Sequence, residues 1–126
     1  MKCILEIDNE PFPALLKLFI FGAPHVRQMD QTPSGIWLLQ TYRSELIASA
    51  KKIQLKTPID YPIDLYALFI DPTTPDLDNL IMALYQAMDA KAFKGPSLLS
   101  DDGMIQKVTM SKFYPNGPVK NENRVP

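Results

Sequence analysis

The chain has 126 residues, 46% of them hydrophobic and 21% charged, with 13 basic and 14 acidic side chains and a net charge of −1. That length suits one ordinary domain with a buried core, and the composition excludes a mostly disordered chain. The single cysteine, Cys3, excludes an internal disulfide, the charge balance lacks the basic excess usual in nucleic-acid-binding domains, and no run nears the ~18 apolar residues of a membrane span.

Residues 3–7 alternate, with Cys3, Leu5 and Ile7 on one face, and predict a short strand. Charge at Lys2, Glu6 and Asp8 comes too early for the apolar region of a secretory leader, so the expected location is the cytoplasm. Residues 15–21 form a nearly continuous apolar run closed by Gly22 and Pro24, the pattern of a buried strand ending in a turn. A polar loop is expected over 24–35. Residues 36–55 predict a helix whose stripe is Leu38, Leu39, Tyr42, Leu46, Ala50 and Ile53, with Arg43, Glu45, Lys51 and Lys52 mostly off it and Thr57-Pro58 beyond its end.

Residues 63–70 predict a strand central to the sheet, and residues 76–90 a second helix with Leu77, Leu80, Ile81, Leu84 and Met88 inward. A loop with Gly95-Pro96 leads to a last strand over 104–113, with Ile105, Val108 and Met110 as its apolar members. Residues 115–126, with three prolines, are expected to be a mobile tail, leaving one domain over 1–114. The expected fold class is α/β (α+β): a small mixed sheet with two main helices packed on one side.

The residues that could carry chemistry are acidic. Pro75-Asp76-Leu77-Asp78-Asn79 lies where a strand gives way to a helix, and Asp101-Asp102-Gly103 lies before the last strand. Carboxylates at i and i+2 on an extended segment point to one side, and hard divalent cations take such oxygen ligands. A purely structural role is equally direct: Asp caps helix N-termini, and Asp-Asp-Gly is turn chemistry. Spacing alone leaves both readings open.

Asp76-Leu77-Asp78-Asn79-Leu80, a helix, and then Asp101-Asp102-Gly103-Met104-Ile105 resembles the core signature of the RusA family of Holliday junction resolvases, often encoded by phages and prophages. The resemblance covers residues 63–113 and is faint over 1–60. It implies a homodimeric, magnesium-dependent endonuclease of α/β fold, with manganese as the alternative ion, cleaving branched DNA in a bacterial or phage-infected cell. By the same resemblance Asp76, Asp78 and Asp102 are the catalytic, metal-holding carboxylates, with Asp101 a weaker candidate, and the ion would activate a water for attack on the phosphodiester. The chain departs from the family at Met82, where many members carry a catalytic lysine. The resemblance therefore leaves Lys91, Lys94 and Lys107 as phosphate-contact candidates, Lys112 as a more distant one, and a binding-only or inactive relative as the alternative.

Other residues read more plainly. His25, beside Pro24 and near Arg27, is taken as a loop residue, although with Arg27, Arg43, Lys51 and Lys52 it could add to a phosphate-facing surface. Trp37 and Tyr42 are expected in the core, Cys3 as a small buried hydrophobe, and Met82, Met88, Met104 and Met110 as core or interface filler. Asn79 suits the first turn of a helix.

Overall fold

Two runs of eight residues, ALLKLFIF and IDLYALFI, are rich in large apolar side chains and pair as the centre of a sheet. The computed structural model describes residues 1–24, 32–73, 76–89 and 95–117. In chain order it contains β1 (Lys2–Asp8), β2 (Ala14–Phe21), α1 (Pro33–Lys52), β3 (Ile63–Ile70), α2 (Leu77–Met88), a short 3-10 helix (Asp102–Met104) and β4 (Ile105–Phe113). The sheet order is β1-β2-β3-β4. β1 runs antiparallel to β2, while β2, β3 and β4 are mutually parallel. The fold is a four-stranded mixed sheet with two helices packed on it, an α+β architecture.

The topology explains why both helices share a side. Each parallel step, β2 to β3 and β3 to β4, needs a crossover, and crossovers are right-handed. Both steps go the same way across the sheet, so α1 and α2 cover one face. Leu16, Leu18 and Ile20 of β2 and Ile63, Leu65, Ala67 and Phe69 of β3 are buried beneath them, against Leu39, Tyr42 and Leu46 of α1 and Leu80, Leu84 and Met88 of α2. The alternate residues form the opposite face, which neither α1 nor α2 covers. Its rows run Lys2–Phe21–Ile70–Phe113, Ile4–Phe19–Leu68–Ser111, Glu6–Lys17–Tyr66–Thr109 and Asp8–Leu15–Asp64–Lys107.

α1 starts three residues before the expected boundary. Thr32 is its N-cap, accepting from the Gly35 amide at 3.0 Å, and Pro33 occupies the first turn, where its missing N–H costs nothing. Its C-terminus is a Schellman motif: Leu55 N–H donates to Ala50 O at 2.9 Å and Gln54 N–H to Lys51 O at 3.0 Å. Gln54 takes the left-handed position, φ 58°, usually filled by glycine. The helix therefore stops at Lys52, short of residue 55.

Three side-chain expectations are corrected. Trp37 is 63% exposed, because two residues at about 100° each set it on the opposite side of α1 from buried Leu39. Arg43, expected off the stripe, is only 3% exposed. Its guanidinium donates to Asp89 O at 2.7 Å and Pro96 O at 2.8 Å, tying α1 to the chain after α2. Burial lowers its pKa, opposed by the charge of Asp89. Met82 is 56% exposed and fills no core space, while Met88 is buried as expected.

β4 carries a register shift opposite Ile63/Asp64, where Ile105 and Lys107 pair with consecutive β3 residues and Gln106 is the extra one. This bulge lets Ile105 and Val108, three apart in sequence, both pack against the core, which a regular strand forbids. After β4, residues 115–117 make a turn closed by Gly117 N–H to Tyr114 O at 3.0 Å. The expected tail otherwise lies outside the described residues. Among the described residues no helix is long and apolar enough to cross a membrane.

The edge strand β1 is tied to α1 by side chains. Cys3 N–H donates to Glu45 Oε1 at 3.3 Å, and Ser49 Oγ donates to Cys3 O at 2.9 Å. The Cys3 thiol is buried as expected, and burial, then the charge of Glu45, pushes its pKa up to about 12.

Two outcomes follow from this packing. Replacing Arg43 with Met strands two carbonyls and should cost about 2–3 kcal/mol, read from the urea midpoint. Because the Cys3 thiol holds its proton more tightly folded than unfolded, its contribution to stability is intact below the ordinary thiol range near 9.0 and is lost as pH rises from there towards about 12. Native protein at pH 8 should therefore react with a thiol reagent far more slowly than urea-unfolded protein, and native labelling at the unfolded rate would contradict this burial.

Candidate functional site

The first acidic motif is fixed by the junction between β3 and α2. Gly22 N–H donates to Ile70 O at 2.9 Å and Asp71 N–H to Phe113 O at 2.9 Å, so the ends of three strands are stitched together. Asp71 takes a left-handed conformation, φ 47°, which turns the chain off the sheet. Thr73 then anchors to Ala23 O through both N–H, at 3.3 Å, and Oγ1, at 3.0 Å.

Asp76 is the N-cap of α2. Its Oδ1 accepts from the Asp78 amide at 3.0 Å, satisfying an otherwise orphan N–H. Asp78 lies in the first turn, where the helix dipole favours a negative charge. Both residues are exposed, while Asn79 is half-buried beside them. Met82, one turn after Asp78 on the same helix surface, projects outward.

The second motif is placed by the segment before it. Ile59 N–H donates to Leu98 O at 2.8 Å, Leu99 N–H to Met88 O at 3.0 Å and Ser100 N–H to Ile59 O at 3.0 Å. These bonds carry the chain past the C-terminal end of α2. Asp101 caps the 3-10 helix, its Oδ1 accepting from Gly103 N–H at 2.8 Å. Asp102 is the next residue and is exposed. It borders a cleft of about 200 Å3 with Tyr85, Ile105, Gln106, Lys107 and Val108. Burial, and secondarily the charge of Asp102, raises the Tyr85 pKa, so its phenol stays protonated.

The structure thus brings together Asp76 with Asp78, and separately Asp102 with Tyr85 and Lys107. It does not join the two groups. Asp78 and Tyr85 are seven residues apart on α2, about 10 Å along its axis. Among the described residues no three His, Cys, Asp or Glu side chains are grouped so that they could hold a metal ion. Among the described residues, Asp76, Asp78 and Asp102 are thus not grouped as one ion site.

Of the cationic candidates, Lys107 lies at the Asp102 cleft. Lys112 pairs with Phe69, whose side chain points to the helix layer, well along β4 from that cleft. Lys91, Lys94, His25 and Arg27 lie outside the described residues. Tyr85 was not singled out from the sequence. The usable signal was its place two turns after Asp78, on a helix whose neighbouring inward positions are all aliphatic.

Comparison with known proteins finds no matching family model, no matching curated protein and no matching solved structure.

Since Asp76 has a capping duty whatever its chemistry, Asp76→Ala should destabilise the fold by about 1 kcal/mol in chemical denaturation, whereas Asp76→Asn, which can still accept the bond, should be close to neutral. Equal losses in the two variants would count against the capping role.

Proposed function

We propose that this protein is a RusA-like endonuclease acting on branched DNA such as Holliday junctions, working as a homodimer with magnesium, or manganese, as cofactor. The observation that carries the reading is the order and local placement of its two acidic motifs, one opening α2 after β3 and the other standing just before β4. Asp76-Leu77-Asp78-Asn79 opens α2, and Asp102 stands at the cleft beside Tyr85 near its other end. Asp76, Asp78 and Asp102 are the catalytic and metal-binding residues in this reading, with Asp101 secondary as the acid adjacent to the one the resemblance selects; the carboxylates of Asp76 and Asp101 also cap their helices. Lys107 is the phosphate contact supported by placement, since it shares the cleft with Asp102. When bound, the ion would polarise the phosphodiester and acidify a water.

A second reading, a RusA-like module that binds DNA or a partner without cutting, is favoured by the exposed thioether of Met82 where a cation is expected and by the separation of the acids. One experiment separates the two. A labelled four-way junction is incubated with wild type and with Asp78→Asn, in magnesium, in manganese and in EDTA, alongside a gel-shift assay. The nuclease reading expects metal-dependent nicks that fall at least about a hundredfold in Asp78→Asn while the junction is still shifted. Binding without any cut supports the module instead, and cleavage unchanged in Asp78→Asn overturns the assigned site.

A further inference from the structure

Tyr85 stands at the Asp102 cleft with no part assigned to it, and its two ends have different surroundings. The side chain is half-buried, and its ring packs against the core, as do Ile105 and Val108 of β4. The charge of Asp102 reaches the phenol, so the hydroxyl end of the ring is the end at the cleft. Among the described residues no hydrogen bond engages that hydroxyl. Packing alone needs no hydroxyl, and a tyrosine taken partly out of water ordinarily finds a partner for it.

The cleft narrows what that partner can be. Its volume, about 200 Å3, lies below the ~300–1,000 Å3 of pockets that enclose a drug-sized ligand, so it admits one small group. β4 is an edge strand, and its bulge at Gln106 falls at this wall. Bulges at sheet edges often re-aim side chains beside a site. The single acid and single base of the cleft, Asp102 and Lys107, balance in charge, so an entering anion meets no net repulsion and a neutral O–H is left to fix its position. Because the ring is committed to the core, the hydroxyl is the part offered to a ligand. That favours a phosphate oxygen over a stacked base.

We propose that Tyr85 is a phosphate-contact residue: its phenol donates a hydrogen bond to a non-bridging oxygen of a DNA backbone phosphate seated in this cleft beside Lys107. The proposal rests on the reading that the protein binds branched DNA, and it holds whether or not the protein cuts. A tyrosine hydroxyl keeps its proton at neutral pH, and such contacts fix the position of the backbone without reading sequence. Tyr85 lies two turns beyond Asp78 on nearly the same line of α2, so the contact sets the register of the backbone against that helix.

The test is the affinity of the full chain for a fluorescent four-way junction, measured by anisotropy in EDTA and in magnesium. Tyr85→Phe keeps the packed ring and removes only the donor, and its urea midpoint is measured beside that of wild type. Its dissociation constant should rise about tenfold, by the same factor for junctions of different sequence, with the urea midpoint unchanged. A methylphosphonate, which removes one charged oxygen, is then moved along the backbone one position at a time. At one position wild type and Tyr85→Phe should bind equally. An unchanged dissociation constant in Tyr85→Phe, with wild type bound, overturns the inference and leaves the DNA reading standing. So does a loss confined to particular sequences, which would place a base in the cleft. A loss that persists at every methylphosphonate position also overturns it, because the hydroxyl would then act within the protein. Wild type that binds no junction in either buffer removes the DNA reading and this contact with it.

Discussion

Everything in this fold follows from two crossovers stepping the same way across a sheet. A right-handed β-α-β connection can close on only one side of its strands, and repeating it in the same direction puts the next helix beside the first. Among the described residues the chain therefore has one core, between the helices and a single sheet face. The same constraint sets the direction of α2. It starts at the carboxyl end of β3 and must return to the amino end of β4. The two acidic motifs flank that return journey, so their separation is a product of topology before it is one of chemistry.

Polar tethers hold this arrangement where apolar contact cannot. Arg43 is the chief of them: a long, charged side chain buried between α1 and the segment around Asp89 and Pro96. It gives two carbonyls a strong donor in a place that water reaches poorly, and leaving such groups unpaired is costly. Ser49 and Glu45 do similar work at the other flank, where the edge strand β1 would otherwise end in unmatched backbone groups.

Much of this was legible in the sequence because periodicity and burial agreed. The apolar runs of β2 and β3, the stripe of α2 and the strand-helix order all report the same layers. The exceptions have local causes. The start of α1 depends on the hydroxyl of Thr32 and the fixed φ of Pro33, signals outweighed by the polar stretch before them. Arg43 reads as surface by residue type and becomes interior through two carbonyls supplied from 46 and 53 residues away. Val108 looks out of step with Ile105 until the bulge at Gln106 is known. For the acids, residue types and capping positions were legible, but which side chains border Asp102 is a long-range property set by how α2 packs beside β4.

The length of α2 has a consequence for how this chain can vary. The helix is the rigid link that sets Asp76 and Asp78 against Asp102, and each residue in it carries a fixed rotation of about 100° and a rise of about 1.5 Å. Inserting or deleting one residue between Asn79 and Tyr85 would swing one motif a quarter-turn or more around the axis and expose part of the buried stripe of Leu80, Leu84 and Met88. The helix therefore acts as a ruler that tolerates substitutions such as methionine at 82 but not a change of count.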